Sequence, residues 1–403
     1  MKWTSDFFRN NRQQLAEKLH GGLIAVTAYD RLQRSNDTAF TFEQEANFWY
    51  LTGIEEPGWK LVYDGTTHHS WLVMPDLDEV HRIFDGGMSA ETARSISGVH
   101  EVISADELLS LYRRLTRTHS LAYTVSQPSY ANSFNFSLNP ALHDNQRQLE
   151  RTFAKVQTAN KELAQLRALK QPEEITAIER AIKTTVAAFS SVRERISEFK
   201  TEAEIEAEYS YLFRRAGADG HAYDPIVAAG KNACTLHYIQ NIDPIKNRQL
   251  VLIDIGARQH GYAADITRTY AKGEPTARQQ AVHDAVRDAQ AKICKLLGPD
   301  FAVEEYQRQV DEIMLSAIVG LGLAQPGDVE AVRRYMPHAV SHGLGIDVHD
   351  SLGGPRTLRP GMVLTVEPGI YLPDENIGVR IEDDILITES GARNLSSKLS
   401  TQL

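Results

Sequence analysis

Cysteine, long apolar runs and excess positive charge are all scarce in this chain, and each scarcity removes a class of protein. Only Cys234 and Cys294 occur among 403 residues, and they form neither a CxxC nor another zinc-type spacing. A disulfide framework is therefore not expected. No apolar run approaches the roughly 20 residues needed to span a bilayer. The start, MKWTSDFFRNNRQQLAEKL, has no apolar stretch ahead of a small-residue cleavage site, so no secretory signal is expected. The net charge of −10 and pI near 5.8 provide no field for gathering phosphate backbones, which excludes nucleic acid as an expected partner. There is no low-complexity tract and no phosphate loop. These absences lead to the expectation of a soluble, cytoplasmic protein with no membrane association.

What remains is an ordinary globular composition, 42% hydrophobic and 24% charged. A chain of 403 residues exceeds what one growing core accommodates, so two domains are expected, residues 1–158 and 159–403. The first alternates helical and strand patterns. Helices are predicted over 5–19, after Ser89, and after Ser104, where Ser104-Ala-Asp-Glu107 has the spacing of a capping box. GLIAVTA, WKLVY, SWLVM and LAYTV read as strands, giving an α/β domain with a mixed sheet. A polar helix is predicted from about 140 to 168 as a bridge. Pro172 then opens a helix with Ile175, Ile178, Ile182, Val186 and Phe189 on one face, and Thr201-Glu-Ala-Glu204 opens another.

In the second half the order of two helices, an irregular stretch and an apolar hairpin occurs twice. The repeat is one of pattern only, and it predicts a pseudo-two-fold domain with both hairpins central. Each hairpin carries mirrored acids. Asp254 and Asp265 are symmetric about the midpoint between Gln259 and His260, and Glu367 and Glu382 about that between Asp374 and Glu375. In regular hairpins each pair would lie directly opposite, where like charges destabilise. Set among Val, Ile and Leu, four such carboxylates require neutralisation, and divalent metal ions would supply it. Two ions fit four carboxylates better than one. PHAVSHGLGIDVHD offers His338, His342 and His349 as a further ligand, and its glycines do not follow a dinucleotide-binding plan. Arg380 shares a strand face with Glu382. Asp374, Glu375, Asp383 and Asp384 read as water-facing acids, and Trp49, Tyr50 and Trp59 as core.

Asp254 and Asp265 eleven residues apart, His342 in SHGLG, Glu367 in VEPGIY and Glu382 in VRIEDD resemble the ligand set of the pita-bread metallopeptidases. The His338–His342 spacing before GLGIDVHD and the LHY around His237 are similar to the Xaa-Pro branch, aminopeptidase P and prolidase. RSNDTAFTFEQEANFWYLTGIEEPG resembles the N-terminal domain of aminopeptidase P. The resemblance implies an N-terminal mixed-sheet α/β domain followed by a pita-bread catalytic domain, and a dinuclear peptidase that cleaves before a penultimate proline. It implies that Asp254 holds one metal, that Asp265 and Glu382 bridge both, and that His342 and Glu367 hold the second, with Glu367 also shuttling protons. His237 and His349 would contact the scissile peptide, His338 would line the proline pocket, and Arg380 would orient Glu382 or bind substrate. Asp37 is carried over as a residue near the substrate amine.

The carboxylate-rich set favours manganese, with zinc and cobalt as alternatives. The implied partners are short peptides with proline at the second position and, as in relatives, further copies of the chain in a homodimer or homotetramer. Prolidase-type action on dipeptides is the alternative activity. A non-catalytic binding domain and methionine aminopeptidase or creatinase relationships fit less well, given five intact ligands and a large N-terminal domain.

Overall fold

The computed structural model describes residues 3–128, 131, 133–134 and 137–403. It divides into two compact units, with the boundary between Leu166 and Arg167, past the 158/159 boundary expected from sequence.

The first unit is built on six strands: β1 (Leu23–Thr27), β4 (Lys60–Asp64), β5 (His69–Met74), β6 (Glu101–Ser104), β7 (Leu121–Thr124) and β8 (Lys155–Thr158). A separate small hairpin is formed by β2 (Gln33–Ser35) and β3 (Thr38–Ala39). The sheet order is β6-β5-β4-β1-β7-β8; the β4 pairings are antiparallel and the outer ones parallel, which makes the sheet mixed as expected. Its helices are α1 (Ser5–Lys18), α2 (Ala46–Thr52), α3 (Glu79–Asp85), α4 (Ala90–Ser97), α5 (Leu108–Leu115) and α6 (Ala141–Glu150). The Ser104 amide donates to the Glu107 carboxylate at 2.9 Å, so the predicted capping box forms.

The long polar helix predicted from 140 to 168 is broken in two. Helix α6 ends at Glu150, β8 pairs in parallel with β7, and α7 (Asn160–Ala168) follows. The sheet has an open edge at β7, and Lys155–Thr158 satisfies it; burial of Phe153 at the turn anchors the break. Trp49, Tyr50 and Trp59 are core residues.

The second unit starts with α8 (Pro172–Glu194) and α9 (Glu202–Arg215), then the short β9 (Gly220–His221) and β10 (Ile226–Ala229). The first hairpin comprises β11 (Leu250–Asp254), β12 (Ala257–Gln259), β13 (Tyr262–Ala263) and β14 (Thr267–Ala271). Helices α10 (Ala277–Cys294), α11 (Val303–Gly320) and α12 (Glu330–Tyr335) follow. The second hairpin comprises β15 (Val363–Val366), β16 (Gly369–Leu372), β17 (Ile377–Arg380) and β18 (Asp383–Thr388), with β19 (Gly391–Asn394) closing the sheet. The repeat of two helices followed by a hairpin is therefore present. Helix faces carrying Val282, Val286 and Ile293, and Val310, Met314 and Ile318, pack with Leu364, Val366, Val379, Ile381 and Ile385 of the second hairpin. On α8, Ile178, Ile182 and Phe189 are buried as predicted, whereas Ile175 and Val186 are only half-buried.

Glu174 on α8 is fully buried, and its carboxylate accepts from the Tyr262 hydroxyl at 2.7 Å and the Gln171 amide at 2.8 Å. Burial pushes its pKa up to about 7, against the opposing pull of the Lys170 charge and these donors, with Asp350 adding to the rise. A raised carboxyl pKa means that the folded state holds the proton more tightly than the unfolded one. Its favourable contribution is complete below pH 4.5 and is lost as pH rises to about 7. A shift from 4.5 to about 7 corresponds to at most ~3 kcal/mol. Urea unfolding of Glu174→Gln should show a flatter stability profile than wild type between pH 4.5 and 7; identical slopes would contradict this assignment.

Candidate metal centre

The two hairpins differ in how well their mirror symmetry survives folding. In the second, Val366 pairs with Asp383 and Gly369 with Arg380, so the same register on both sides places Glu367 opposite Glu382. In the first, Gln259 pairs with Tyr262 and Asp254 with Thr267, not with Asp265. The expectation that Asp254 and Asp265 lie directly opposite is therefore corrected by two residues. The cause is the turn, a two-residue His260-Gly261 loop with φ of 55° and 80°, the positive-φ pair that matches strand twist.

The acids converge nonetheless. The Tyr223 hydroxyl lies 2.6 Å from Oδ1 of Asp254 and 2.6 Å from Oδ1 of Asp265. Gly256 permits this crossing, because a Cβ there would come within 1.7 Å of the Ala264 carbonyl oxygen. The hairpins are joined at Thr267 and Glu382: the Glu382 amide donates to the Thr267 carbonyl at 3.0 Å, and the Thr267 hydroxyl to Glu382 Oε2 at 2.6 Å.

His342 arrives from the segment before the second hairpin. The Thr365 amide donates to its carbonyl at 2.9 Å, and its own amide donates to the Thr365 hydroxyl at 3.2 Å. Nδ1 donates to the Gly343 carbonyl at 2.9 Å, which turns Nε2 toward Asp265 Oδ2 at 3.4 Å and Glu367 Oε1 at 3.3 Å. A backbone acceptor on one ring nitrogen is the usual way of presenting the other to a metal.

The electrostatics show what the cluster requires. Burial holds the carboxyls of Asp265 and Glu382 above their ordinary range, Glu382 well above it, with neighbouring carboxylates adding to the effect. Burial also raises Glu367 to about 7, opposed by His342 and Arg380. Burial would lower His342, but its bond to Asp265 and the charges of Asp265 and Glu367 raise it to about 9. Four carboxylates face only Arg380 and His342 as cationic partners, so the buried acids outnumber their countercharges. Ligand atoms of Asp254, Asp265 and Glu382 all lie within 4.8 Å of one another, as do those of His342, Glu367 and Glu382, and those of Asp265, His342 and His349. A carboxylate-rich pocket with overlapping donor triads fits a pair of hard divalent ions.

The remaining predicted residues surround this cluster. His338 donates from Nδ1 to the Ala339 carbonyl at 2.8 Å, leaving Nε2 to accept from the Tyr371 hydroxyl at 2.9 Å; burial and then the Arg380 charge lower it to about 4. The His349 ring stands edge-on to His342 with centroids 4.3 Å apart, and burial, His342 and His237 lower it to about 4. His237 is exposed, near enough for its charge to act on both His338 and His349. Arg380 does not pair with Glu382. Its guanidinium binds Asp254 and the Tyr371 hydroxyl, because β11 and β14, paired at Asp254 and Thr267, bring both residues across its path. Asp37 lies in the exposed β2–β3 segment of the first unit.

Asp383 and Asp384 correct another expectation, since both are buried, whereas Asp374 and Glu375 are exposed as predicted. Asp383 accepts from Arg268, Gln290, Asn394 and Ser396, and Asp384 accepts from the Asp265 amide at 3.2 Å. For Asp383, pairing with buried donors replaces the water that sequence alone suggested. Thr267, Thr365 and Tyr371 were not predicted as site residues, and the sequence left Tyr223 undecided. For Thr365 and Tyr371 a signal was present, since both share the two-residue alternation of Glu367. Tyr223 lies in an irregular stretch without such periodicity.

A two-unit α/β chain whose buried carboxylate–histidine cluster spans two pseudo-symmetric hairpins defines the class of metal-dependent hydrolases. Residues 176–389 match metallopeptidase family M24, and residues 8–123 match the aminopeptidase P N-terminal domain. The chain belongs to metallopeptidase family M24, within its Xaa-Pro peptidases, and is a metal-dependent hydrolase with the pita-bread fold. It is 34% identical to the Xaa-Pro aminopeptidase of Escherichia coli K12, over 97% of this chain and 94% of that one. It is 33% identical to human Xaa-Pro aminopeptidase 3, covering 93% of this chain and 78% of the relative. The solved aminopeptidase P from E. coli in its low-pH form superposes with a TM-score of 0.88 at 31% identity, covering 100% and 97% of the two chains.

Proposed function

We propose that this site hydrolyses the bond between an N-terminal residue and a penultimate proline, with two manganese ions held by Asp254, Asp265, His342, Glu367 and Glu382. The observation that carries this reading is the overlap of the donor groups: Asp265, His342 and Glu382 each belong to two of them, and of these Asp265 and Glu382 are the carboxylates, whose two oxygens can reach two ions. These two residues, one from each hairpin, would be the bridging ligands of the pair. When bound, the ions supply positive charge that activates water near neutral pH and stabilises developing oxyanion charge.

The chain's own residues do the rest. Glu367 takes the proton of the attacking water and returns it to the proline nitrogen, which has no N–H of its own. His237 and His349, on the open side of the cluster, donate to the peptide carbonyl as its charge develops. His338, neutral at pH 7, lines the proline pocket. Arg380 holds Asp254 in place and fixes the Tyr371 hydroxyl by a 2.8 Å bond. Residues 1–158 are read as the creatinase/aminopeptidase P-like domain, and the chain as a cytoplasmic homodimer or homotetramer; light scattering and cell fractionation test these two points. Among the described residues, no helix is long and apolar enough to cross a membrane.

Chelation should abolish turnover, and elemental analysis after Mn²⁺ addition should recover two ions per chain together with activity. Uptake of one ion, or of none, would overturn the dinuclear reading. Comparison of Ala-Pro with Ala-Pro-Ala separates the two candidate activities. The tripeptide is expected to turn over faster; equal or better turnover of the dipeptide would assign a dipeptidase instead.

A further inference from the structure

His342 and His349 stand at the two ends of one tight segment, and what holds that segment shut lies outside the ligand set. Gly343 and Asp350 form an antiparallel bridge, with the Asp350 amide donating to the Gly343 carbonyl at 2.9 Å. A Cβ at Gly343 would come within 2.4 Å of the Asp350 carbonyl oxygen, and one at Gly345 within 2.0 Å of Asp350 Oδ2. The two glycines of SHGLG are thus required because the segment wraps closely around Asp350, Gly343 against its carbonyl and Gly345 against its carboxylate.

That carboxylate is clamped by two cations from the beginning of the second unit. Arg167 Nη2 lies 3.0 Å from Asp350 Oδ1 and 2.6 Å from Asp347 Oδ2. Lys170 Nζ lies 3.3 Å from Asp350 Oδ2 and donates to the Arg167 carbonyl at 2.5 Å. The Lys170 side chain is 0% exposed and that of Asp350 3% exposed, so this is a desolvated pair, not a surface contact.

The same segment is also tied to both hairpins. The Ala263 amide donates to the Gly345 carbonyl at 2.9 Å and Arg258 Nη1 to the Ile346 carbonyl at 3.1 Å, while the Leu344 amide donates to the Val363 carbonyl at 3.0 Å. The clamp is therefore a third anchor for a segment that joins the two halves of the cluster.

We propose that Arg167 and Lys170 are positioning residues that act through Asp350 to hold the His342–His349 segment over the carboxylate cluster, setting the affinity of the ion that His342 ligates. This rests on the reading of the metal site given above. Groups that support metal ligands in this way typically change affinity 10–100-fold when altered.

The test is calorimetric titration of Mn²⁺ into metal-free wild type, Lys170→Met and Arg167→Lys, with kcat and KM measured at saturating Mn²⁺ and urea unfolding of the metal-free proteins. In both variants one of the two ions should bind on the order of 10–100-fold more weakly, the other should be little changed, and kcat should fall more than KM rises. Arg167→Lys keeps the charge but loses the planar, pre-organised guanidinium whose Nη2 reaches both carboxylates, so it decides the matter if Lys170→Met does not fold. Unchanged ion affinities and kcat with only a lower unfolding midpoint would make the clamp merely structural and overturn the inference. Wild type that binds two ions while the variants match it overturns this inference alone. Wild type that binds no ion overturns the reading of the site and the inference with it.

Discussion

Glu382→Gln is expected to lower kcat/KM by on the order of 10⁴-fold, the scale seen when one member of a catalytic unit is removed. Glu382 is 1% exposed, faces Glu367 across its hairpin and contributes to two of the three donor groups. An amide of the same shape cannot replace a bridging carboxylate, because one of its ends is a donor. Metal stoichiometry should fall below two with no loss of fold. The metal-free variant should be at least as stable as metal-free wild type, because the amide removes a carboxyl whose ionisation burial and the neighbouring acids oppose. An Mn²⁺ titration and a urea melt in chelator read both effects. A variant that still takes up two ions, or whose metal-free form is much less stable, would show that Glu382 serves the fold and not the site.

Arg268→Met should have the largest effect on stability, about 3–5 kcal/mol, the usual cost of leaving a buried charge without its partner. Arg268 is 1% exposed and joins three parts of the unit. It donates to the Thr267 and Glu382 carbonyls at 2.8 and 2.6 Å, to the Leu399 and Ser400 carbonyls at 3.2 and 3.0 Å, and to Asp383 Oδ1 at 2.6 Å. Methionine keeps much of the volume but none of the donors. Asp383 would retain Gln290, Asn394 and Ser396, which limits the loss without replacing the countercharge. The exposed Arg393–Glu179 pair is the control, and Arg393→Met should leave the urea midpoint unchanged within error. Similar shifts for both variants would remove the special role assigned to Arg268.

Much of this was legible before any coordinates. Acids in the middle of apolar strands, as at Asp254 in VLIDIGA and Glu382 in VRIEDD, conflict with burial unless they are neutralised, and that conflict identified the cluster. The register of the second hairpin followed from its mirror symmetry. The first did not, because register obeys the turn, and His260-Gly261 rather than the midpoint of the acids is where the chain reverses. Asp383 and Asp384 were misplaced for a related reason: a carboxylate in sequence looks solvated until its donors, here Arg268 and Gln290 among others, are seen to arrive from elsewhere. The break in the 140–168 helix was invisible because strand β8 exists only in answer to the open edge of β7.

The sequence by itself determined the four acids that need a countercharge and the two-part organisation, because these depend on residue type, hydrophobic period and spacing along the chain; His342 as the fifth ligand and the peptidase chemistry came with the family resemblance. Only the tertiary structure decided which groups meet: Tyr223 between Asp254 and Asp265, Arg380 on Asp254 instead of Glu382, and Lys170 and Arg167 on Asp350. Those pairings join residues from 31 to 183 positions apart, the last being Arg167 and Asp350. Over such separations partner choice is set by packing and by the need to satisfy every buried charge, which no local pattern encodes.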